Sequence, residues 1–148
     1  MKPDLACACA AARRAARVLT QLYDSRLRSS DLEAPQLALM MTLDEGGPCS
    51  QTDLGRRYGF DKTTVSRNLK LLESKGWIEA SVSSDKRQRR FVLTAAGRGR
   101  LAHAKPLWKQ VQNELRQAMP EGQWEAMFHA FRTAAEAAQN LCHPDGCP

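Results

Sequence analysis

The stretch that decides the fold is QTDLGRRYGFDKTTVSRNLKLLESKGWIEASVSSDKRQRRFVLTAAG, residues 51–97. Gly59 separates two segments that have the apolar spacing of helices, and Asp61 is a favourable N-cap for the second of them. Gly76 ends that second helix. Two alternating, strand-like segments, WIEASVS and RRFVLT, then surround a polar, basic tip, SSDKRQ. A helix, a tight turn, a second helix and a basic hairpin in this order predict a winged helix-turn-helix.

The side chains of this stretch are those of a DNA-binding surface. The second helix of a helix-turn-helix lies in the major groove, where the residues at its start reach the base edges. Hydroxyl groups there can hydrogen-bond to bases, cations can bind guanines or phosphates, and arginines on a thin hairpin can enter a narrow minor groove. A basic face can also be merely solvated, but the ordered combination of elements favours DNA binding. The predicted DNA-binding residues are Ser50, Gln51, Lys62, Thr63, Thr64, Ser66, Arg67, Lys70, Asp85, Lys86, Arg87 and Arg89.

The segments outside this stretch are predicted to be helical. The first carries an arginine-rich arc opposite an apolar stripe, as in a helix that buries one side. The predicted features, in chain order, are a helix over 4–29, a second helix that starts at Pro35 and reaches the EGGP break at 45–48, a short third helix capped by Ser50, a long helix capped by Thr94 with a kink at Pro106, and a last helix over about 121–141. The predicted fold class is therefore mainly α with a small β-wing (α+β).

The composition fits one globular unit. The chain has 148 residues, 43% hydrophobic and 26% charged, which is ordinary for a soluble protein. Its net charge of +6 suits a nucleic-acid binder, although unrelated proteins share such a surplus. No apolar run approaches the roughly 20 residues that span a bilayer, and the N-terminus lacks the pattern of a signal peptide. We therefore expect a cytoplasmic protein with no membrane partner.

Catalysis is not expected from the distribution of reactive side chains. The three histidines, His103, His129 and His143, are scattered along the chain rather than gathered in one motif. The sequence contains no Gly-rich phosphate loop, nucleophile elbow or helix-borne zinc-protease motif. An enzyme needs a converging set of reactive groups, so the sequence predicts that the protein is not an enzyme.

Residues 51–97 resemble the DNA-binding core of the MarR family of bacterial transcriptional regulators. The most specific matches are TTVSRNLKLLESKGWI, Asp85-x-Arg87 in the wing, and LTAAG at 93–97, which fits the family's Leu-Thr-x-x-Gly. The resemblance extends to RRAARVLTQLYDSRL in the first helix and to AKPLW at the expected kink. It implies an obligate homodimer with intertwined first and last helices. It also implies a pseudo-palindromic operator in double-stranded DNA and a repressor that an effector releases.

The resemblance further implies how the chain is divided and which residues contact DNA. The implied organisation is a single MarR-like unit over 1–148, with a helical dimerisation region at 4–30 and 105–142, a winged helix-turn-helix lobe at 35–100 and a C-terminal tail at 143–148. The residues implied to face the major groove are Thr63, Thr64, Ser66 and Arg67. Arg87 would be the minor-groove finger, held by Asp85. The density of basic residues at the tip leaves the choice between Arg87 and Arg89 open.

Five cysteines raise the question of what the repressor senses. In a regular helix Cys7 and Cys9 would point about 160° apart, so together they could chelate an ion only if the helix end were frayed. Pro144 and Gly146 favour a turn that could bring Cys142 and Cys147 together, with His143 as a further candidate ligand. The family's topology places the start of the first helix near the end of a last helix. The candidate metal ligands are therefore the four terminal cysteines, Cys7, Cys9, Cys142 and Cys147.

The effector is left open between several alternatives. Thiolates prefer soft ions, here zinc, copper(I) or arsenic(III), and thiols can also respond to oxidants. A small aromatic compound could instead bind in a pocket between the lobes, lined in part by Met40, Met41 and Trp108, although a Met pair on a helix is more often core. The cysteines could also be small packing residues, with no effector at all. The competing class of protein is a thiol-based metal buffer or redox dimer that does not bind DNA.

Overall fold

The computed structural model describes residues 7–81 and 89–142. Its elements, in chain order, are α1 Ala8–Leu27, α2 Ala34–Gly46, β1 Cys49–Ser50, α3 Gln51–Tyr58, α4 Lys62–Ser74, β2 Ile78–Ser81, β3 Arg90–Leu93, α5 Ala95–Ala118 and α6 Gln123–Leu141. A single 3-10 turn, Arg28–Ser30, connects α1 to α2. The three strands form one antiparallel sheet in the order β1-β3-β2. The predicted fold class, mainly α with a small β-wing, is confirmed.

The caps predicted for the helix-turn-helix are present. The Ser50 Oγ accepts a hydrogen bond of 3.2 Å from the Asp53 amide at the start of α3. The Asp61 Oδ1 accepts a hydrogen bond of 2.8 Å from the Thr64 amide at the start of α4. Gly59 ends α3 in the left-handed region at φ 64°, which glycine adopts without steric cost. These local signals fix both helix boundaries around the turn.

The sheet has one strand that the sequence did not predict. β1 contains only two residues, and it pairs with β3 through Cys49 opposite Phe91 and Ser50 opposite Arg90. Two residues are too few to show the alternation by which strands are predicted. β2 and β3 form the predicted hairpin, with Ile78 opposite Leu93. Because β1 leads directly into α3, the sheet joins the base of the wing to the helix-turn-helix.

Two helices begin later than predicted. The helix expected over 4–29 begins at Ala8, and Cys7 is its N-cap with an extended backbone at φ −113° and ψ 111°. Residues 4–6 lie outside the described residues. The last helix begins at Gln123 rather than 121, because Gly122 at φ 76° interrupts the helical backbone. α5 continues through Pro106 without a break, and the kink expected there stays a prediction.

The chain divides into two compact units, residues 1–111 and 112–148. The core of the first unit gathers side chains from α2, α3, α4, the sheet and the first half of α5. It includes Leu37, Leu39, Met40, Leu43, Leu54, Val65, Leu69, Leu72, Ile78, Phe91, Leu93 and Leu101. Val65, Leu69 and Leu72 are the apolar side of α4, so its opposite side is left for solvent or a ligand.

Trp77 lies at the junction between α4, the wing and α5. Its carbonyl accepts the Thr94 amide at 3.1 Å, and its indole lies between the Lys75 ammonium at 4.6 Å and the Arg100 guanidinium at 4.9 Å. Both cations reach back to the turn after α1. Lys75 donates to the Asp31 carbonyl at 3.3 Å, and Arg100 donates to the Ser30 carbonyl at 3.2 Å. The end of α1 is thereby tied to the start of the wing.

The second unit contains the end of α5 and α6. None of the residues of α6 is buried, although Trp124, Phe128 and Phe131 follow one another at helical spacing. Trp124 and Phe128 pack edge to face with their ring centroids 5.1 Å apart. The part of the chain that the structure describes leaves this apolar stripe partly exposed. Among the described residues, no helix is both long and apolar enough to cross a membrane.

Candidate nucleic-acid interface

The recognition surface is built on the packing of α3 against α4. Leu54 of α3 and Val65 of α4 are completely buried, and the Phe60 amide donates to the Gly55 carbonyl at 3.1 Å across the turn. A Cβ at Gly55 would lie 3.2 Å from the Phe60 carbonyl oxygen, so the small residue permits the tight turn. This packing holds the first turns of α4 outward as one rigid ridge.

Six predicted DNA-binding residues lie together at that ridge, five of them on α4 and one on α3. They line a single open cleft of about 420 Å³, and they are Gln51, Lys62, Thr63, Ser66, Arg67 and Lys70. Gln51 reaches across from α3, where its Nε2 donates to the Lys62 carbonyl at 3.4 Å. Within the described parts of the chain, no hydrogen bond or ion pair engages the side chains of the other five. The fold therefore brings these six predicted residues together, five of them with unpaired polar side chains.

Ser50 and Thr64 have different surroundings from the residues in the cleft. The Ser50 hydroxyl is buried and donates to the Asp53 carboxylate at 2.7 Å. The Thr64 hydroxyl donates to the Asp61 carboxylate at 2.6 Å. These bonds to Thr64, first from its hydroxyl and then from its amide, lower the pKa of Asp61 below its ordinary value. In this arrangement both hydroxyl protons are bonded to carboxylates at helix starts, so neither hydroxyl donates to a base while these bonds hold, although each can still accept a hydrogen bond.

Arg89 connects the wing to the recognition helix. Its guanidinium forms an ion pair with the Glu73 carboxylate of α4 and lies 5.2 Å from the centroid of the Phe91 ring. Arg90, beside it, donates to the Pro48 carbonyl at 3.5 Å. Asp85, Lys86 and Arg87, the other predicted wing residues, lie outside the described residues. Glu73 was not predicted as part of this surface; the feature that could have indicated it is a single acidic residue in a helix whose other charged residues are basic.

Three of the four cysteines predicted as metal ligands, Cys7, Cys9 and Cys142, lie in the described part of the chain, and metal binding by the four stays a prediction. Cys7 and Cys9 are free and exposed. Cys7 has an extended backbone and only Cys9 lies within α1. The prediction that one regular helix contains both cysteines is therefore wrong. Cys142 is disulfide-bonded, so it offers no thiolate ligand in this state. Cys147 lies outside the described residues. Residues 7–81 and 89–142 contain no group of three metal-ligating side chains.

Cys49 is set apart from the other cysteines by its surroundings. It lies half-buried in β1 and packs against the core. Burial, and secondarily the nearby Asp53 carboxylate, raise the pKa of its thiol. A raised pKa disfavours the thiolate, which is the form that binds metals and reacts with oxidants.

Of the residues predicted to line an aromatic pocket, one lies in the core and two are partly buried against it. Met40 is completely buried, and Met41 and Trp108 pack against the same core. A second open cleft, of about 480 Å³, lies beside the end of α1. Its lining is largely polar and charged, and includes Asp24, Arg28, Glu33, Gln36 and Lys75. None of the three predicted pocket residues lines either of these clefts.

Comparisons with known proteins agree with this geometry. The MarR family model matches residues 30–88. The crystal structure of the M. tuberculosis transcriptional regulator MosR in complex with DNA is 34% identical, covers 93% of this chain and 99% of that chain, and has a TM-score of 0.82. The HTH-type transcriptional regulator YwoH of Bacillus subtilis is 25% identical over 119 residues, which are 80% of this chain and 87% of YwoH.

A more distant structure shares the fold alone. BpsR of Bordetella bronchiseptica, whose DNA binding is regulated by 6-hydroxynicotinic acid, is 20% identical with a TM-score of 0.78 and covers 88% of this chain and 95% of that chain. The helix-turn-helix, the wing and the match to MosR over nearly the full length of both chains lead to one assignment. The chain belongs to the MarR family of transcriptional regulators.

Proposed function

We propose that the protein is a repressor that binds a pseudo-palindromic DNA operator as a homodimer and is released by an effector. The observation that carries this proposal is the group of five unpaired polar side chains at the start of α4, around the cleft that Gln51 completes. Buried hydrophobic contacts hold the opposite side of α4, so the group is presented on a rigid support. A base edge in the major groove offers hydrogen-bond donors and acceptors that could serve as partners for these unpaired side chains.

The dimer is supported by apolar side chains that are exposed in the described part of the chain. Phe128 is 45% exposed and Phe131 46% exposed on α6, and Val18 on α1 is 56% exposed. Leu27 is the only buried residue of α1. Large apolar side chains grouped on a helix face are typical of an interface between subunits. A two-fold dimer also presents two copies of α4, as a pseudo-palindromic operator requires.

The test is an electrophoretic mobility shift with the DNA upstream of the protein's own coding sequence. Arg67→Ala should weaken binding by roughly 1–3 kcal/mol if Arg67 contacts a base, and Arg87→Ala should weaken binding through the wing. Lys109→Ala, which removes an exposed cation from α5, is the matched control and should have a small effect. If the wild-type protein does not prefer this DNA to random duplex at moderate salt, the repressor proposal is wrong.

The salt dependence of binding gives a second measure of the same interface. A dimer carries twice the chain's charge of +6, and each neutralised phosphate releases counterions. Affinity should therefore fall steeply and linearly on a logarithmic plot against salt. Because Lys62 and Lys70 border the cleft, their replacement by alanine should make the plot shallower.

For the effector, the cysteines are the better supported alternative. Cys7 and Cys9 are exposed and free at the start of α1, where soft ions and oxidants can reach both thiols. The aromatic alternative rests on Met40, which is buried in the core, and on Met41 and Trp108, which are partly buried against it, and none of the three lines either of the two clefts described above. Thiol chemistry at the start of α1 would act on a helix that the proposed dimer buries, and so on the spacing of the two copies of α4.

Native mass spectrometry of the reduced dimer with Zn(II), Cu(I) and arsenite tests thiol-based sensing. The wild-type protein should bind one of these ions or lose its operator on oxidation, and Cys7→Ser/Cys142→Ser should do neither. Cys49→Ser is the matched control, because that half-buried thiol lies in β1 within the core. If no ion binds and operator release is indifferent to thiol reagents, the effector is of another class.

A further inference from the structure

We infer that the cleft at the start of α4 receives the 5-methyl group of a thymine, so that the protein reads this methyl as part of its operator. This inference rests on the proposed DNA-binding function and specifies one contact within it. It assigns to Thr63 the role of a specificity-determining residue. Hydrogen bonds from the remaining side chains of the cleft would then surround an apolar contact.

The lining of the cleft carries the inference. All six residues around it have polar or charged side chains, yet most of the surface that they turn toward the cleft is hydrocarbon. Three of the six side chains, Lys62, Arg67 and Lys70, carry a positive charge. A cleft that combines a largely apolar surface with cationic side chains matches an apolar group carried by a polyanion.

Among the groups that unmodified DNA presents in the major groove, one is apolar. Thymine carries a methyl group at C5, whereas the other base edges present hydrogen-bond donors and acceptors. Lys62, Arg67 and Lys70 complement the phosphates that flank such a base. The charge and the chemistry of the cleft thus select one occupant, a thymine in the operator.

Two adjacent threonines allow the contact to be assigned to one residue. Thr64 uses its hydroxyl to cap α4 through Asp61, and it does not line the cleft. Thr63 lines the cleft and has no such bond among the described residues. Thr63→Ser removes one methyl group and keeps the hydroxyl, while Thr64→Ser makes the same chemical change at the neighbouring position.

The experiment replaces thymines in the operator by deoxyuridine, which lacks only the 5-methyl group. Footprinting on the protein's own upstream DNA defines the operator, and fluorescence anisotropy measures the affinity for each symmetric pair of substitutions. At one pair the wild-type protein should lose about fourfold in affinity for each half-site, the value for one buried methyl group. Thr63→Ser should bind the thymine operator correspondingly more weakly and no longer distinguish it from the deoxyuridine operator. Thr64→Ser should keep the wild-type discrimination.

Each alternative result would contradict one part of the inference, or the proposed function itself. If the operator is bound specifically but deoxyuridine has no effect at any position, the cleft does not read a methyl group and the inference fails while the repressor function stands. If Thr63→Ser retains the discrimination, another residue makes the contact and the assignment is wrong. If affinity responds only to methylation of a cytosine, the occupant is 5-methylcytosine and not thymine. If no DNA is bound specifically, the proposed function and the inference fail together.

Discussion

A Cβ added at Gly97 would lie 1.9 Å from the carbonyl oxygen of Trp77 and 2.8 Å from its carbonyl carbon. Because both atoms belong to the backbone, no side-chain rotation can relieve the contact. The Thr94 hydroxyl caps the same turn of α5 by accepting the Gly97 amide at 3.0 Å. The sequence LTAAG therefore combines a helix cap with a close approach between α5 and the start of the wing, which explains physically why this spacing carries a Thr and a Gly.

Gly97→Ala should destabilise the fold by roughly 1–3 kcal/mol or more, as expected when extra volume is forced into a packed site. Gly99→Ala is the matched control, because it lies in the same helix and its Cβ would meet nothing within 4 Å. Replacing that glycine should stabilise the protein by roughly 0.5–1 kcal/mol, since alanine is the better helix former. Urea denaturation followed by circular dichroism measures both, and equal effects from the two variants would contradict the packing argument.

The surroundings of Asp61 lead to a prediction about how the stability of the fold depends on pH. Its hydrogen bonds to Thr64 lower its pKa below the ordinary value of 3.8, so the folded state favours the carboxylate. This stabilisation is fully present above that ordinary value and is lost as pH falls through the lowered pKa. Thermal melts between pH 7 and pH 2 should show that Asp61→Ala has a lower Tm than wild type at neutral pH, and that the difference shrinks in acid. A constant difference across this range would show that the charge is irrelevant to the cap.

At the scale of elements, the sequence predicted what depends on local signals. The N-caps Ser50 and Asp61, the turn at Gly59 and the alternation of β2 and β3 are each encoded within a few residues, so they could be read from the sequence. β1 and the ion pair between Glu73 and Arg89 depend on segments distant in sequence, for which a single sequence gives no signal. For the same reason the six residues of the cleft could be predicted as a group, but not the hydrocarbon lining that they enclose.

The ion pair between Glu73 of α4 and Arg89, which directly precedes β3, predicts that its removal increases DNA affinity. Glu73→Gln removes a negative charge from the recognition helix and releases Arg89 to bind a phosphate, so binding should tighten and the salt slope should steepen by about one for each subunit of the dimer. Stability should change by less than about 1 kcal/mol, because the pair is partly exposed. Asp44→Asn, which breaks the pair of Asp44 with Lys105 between α2 and α5, is the control for charge alone. Weaker binding by Glu73→Gln would mean instead that the pair positions the wing.

At the scale of the whole molecule, the apolar face of α6, which the described residues leave exposed, leads to a prediction about the oligomeric state. Analytical ultracentrifugation should give a mass twice the chain mass of 16.5 kDa. Phe131→Asp places a charge on a face that the dimer buries, so it should shift the protein toward monomer and reduce operator affinity with it. Phe131→Leu keeps the face apolar and should remain dimeric. A dimer that survives Phe131→Asp unchanged would place the interface on another surface.

The indole of Trp77 has an optical consequence. Two cations lie against its ring, and each also donates a hydrogen bond to a carbonyl of the turn that follows α1. A displacement of that turn must therefore stretch a hydrogen bond or draw a positive charge away from the ring. The emission wavelength of an indole depends on charges at such distances, so the fluorescence of Trp77 is sensitive to the positions of these two cations. With Trp108 and Trp124 replaced by phenylalanine, the emission maximum of Trp77 would show whether a change at α1 alters the surroundings of the base of the wing.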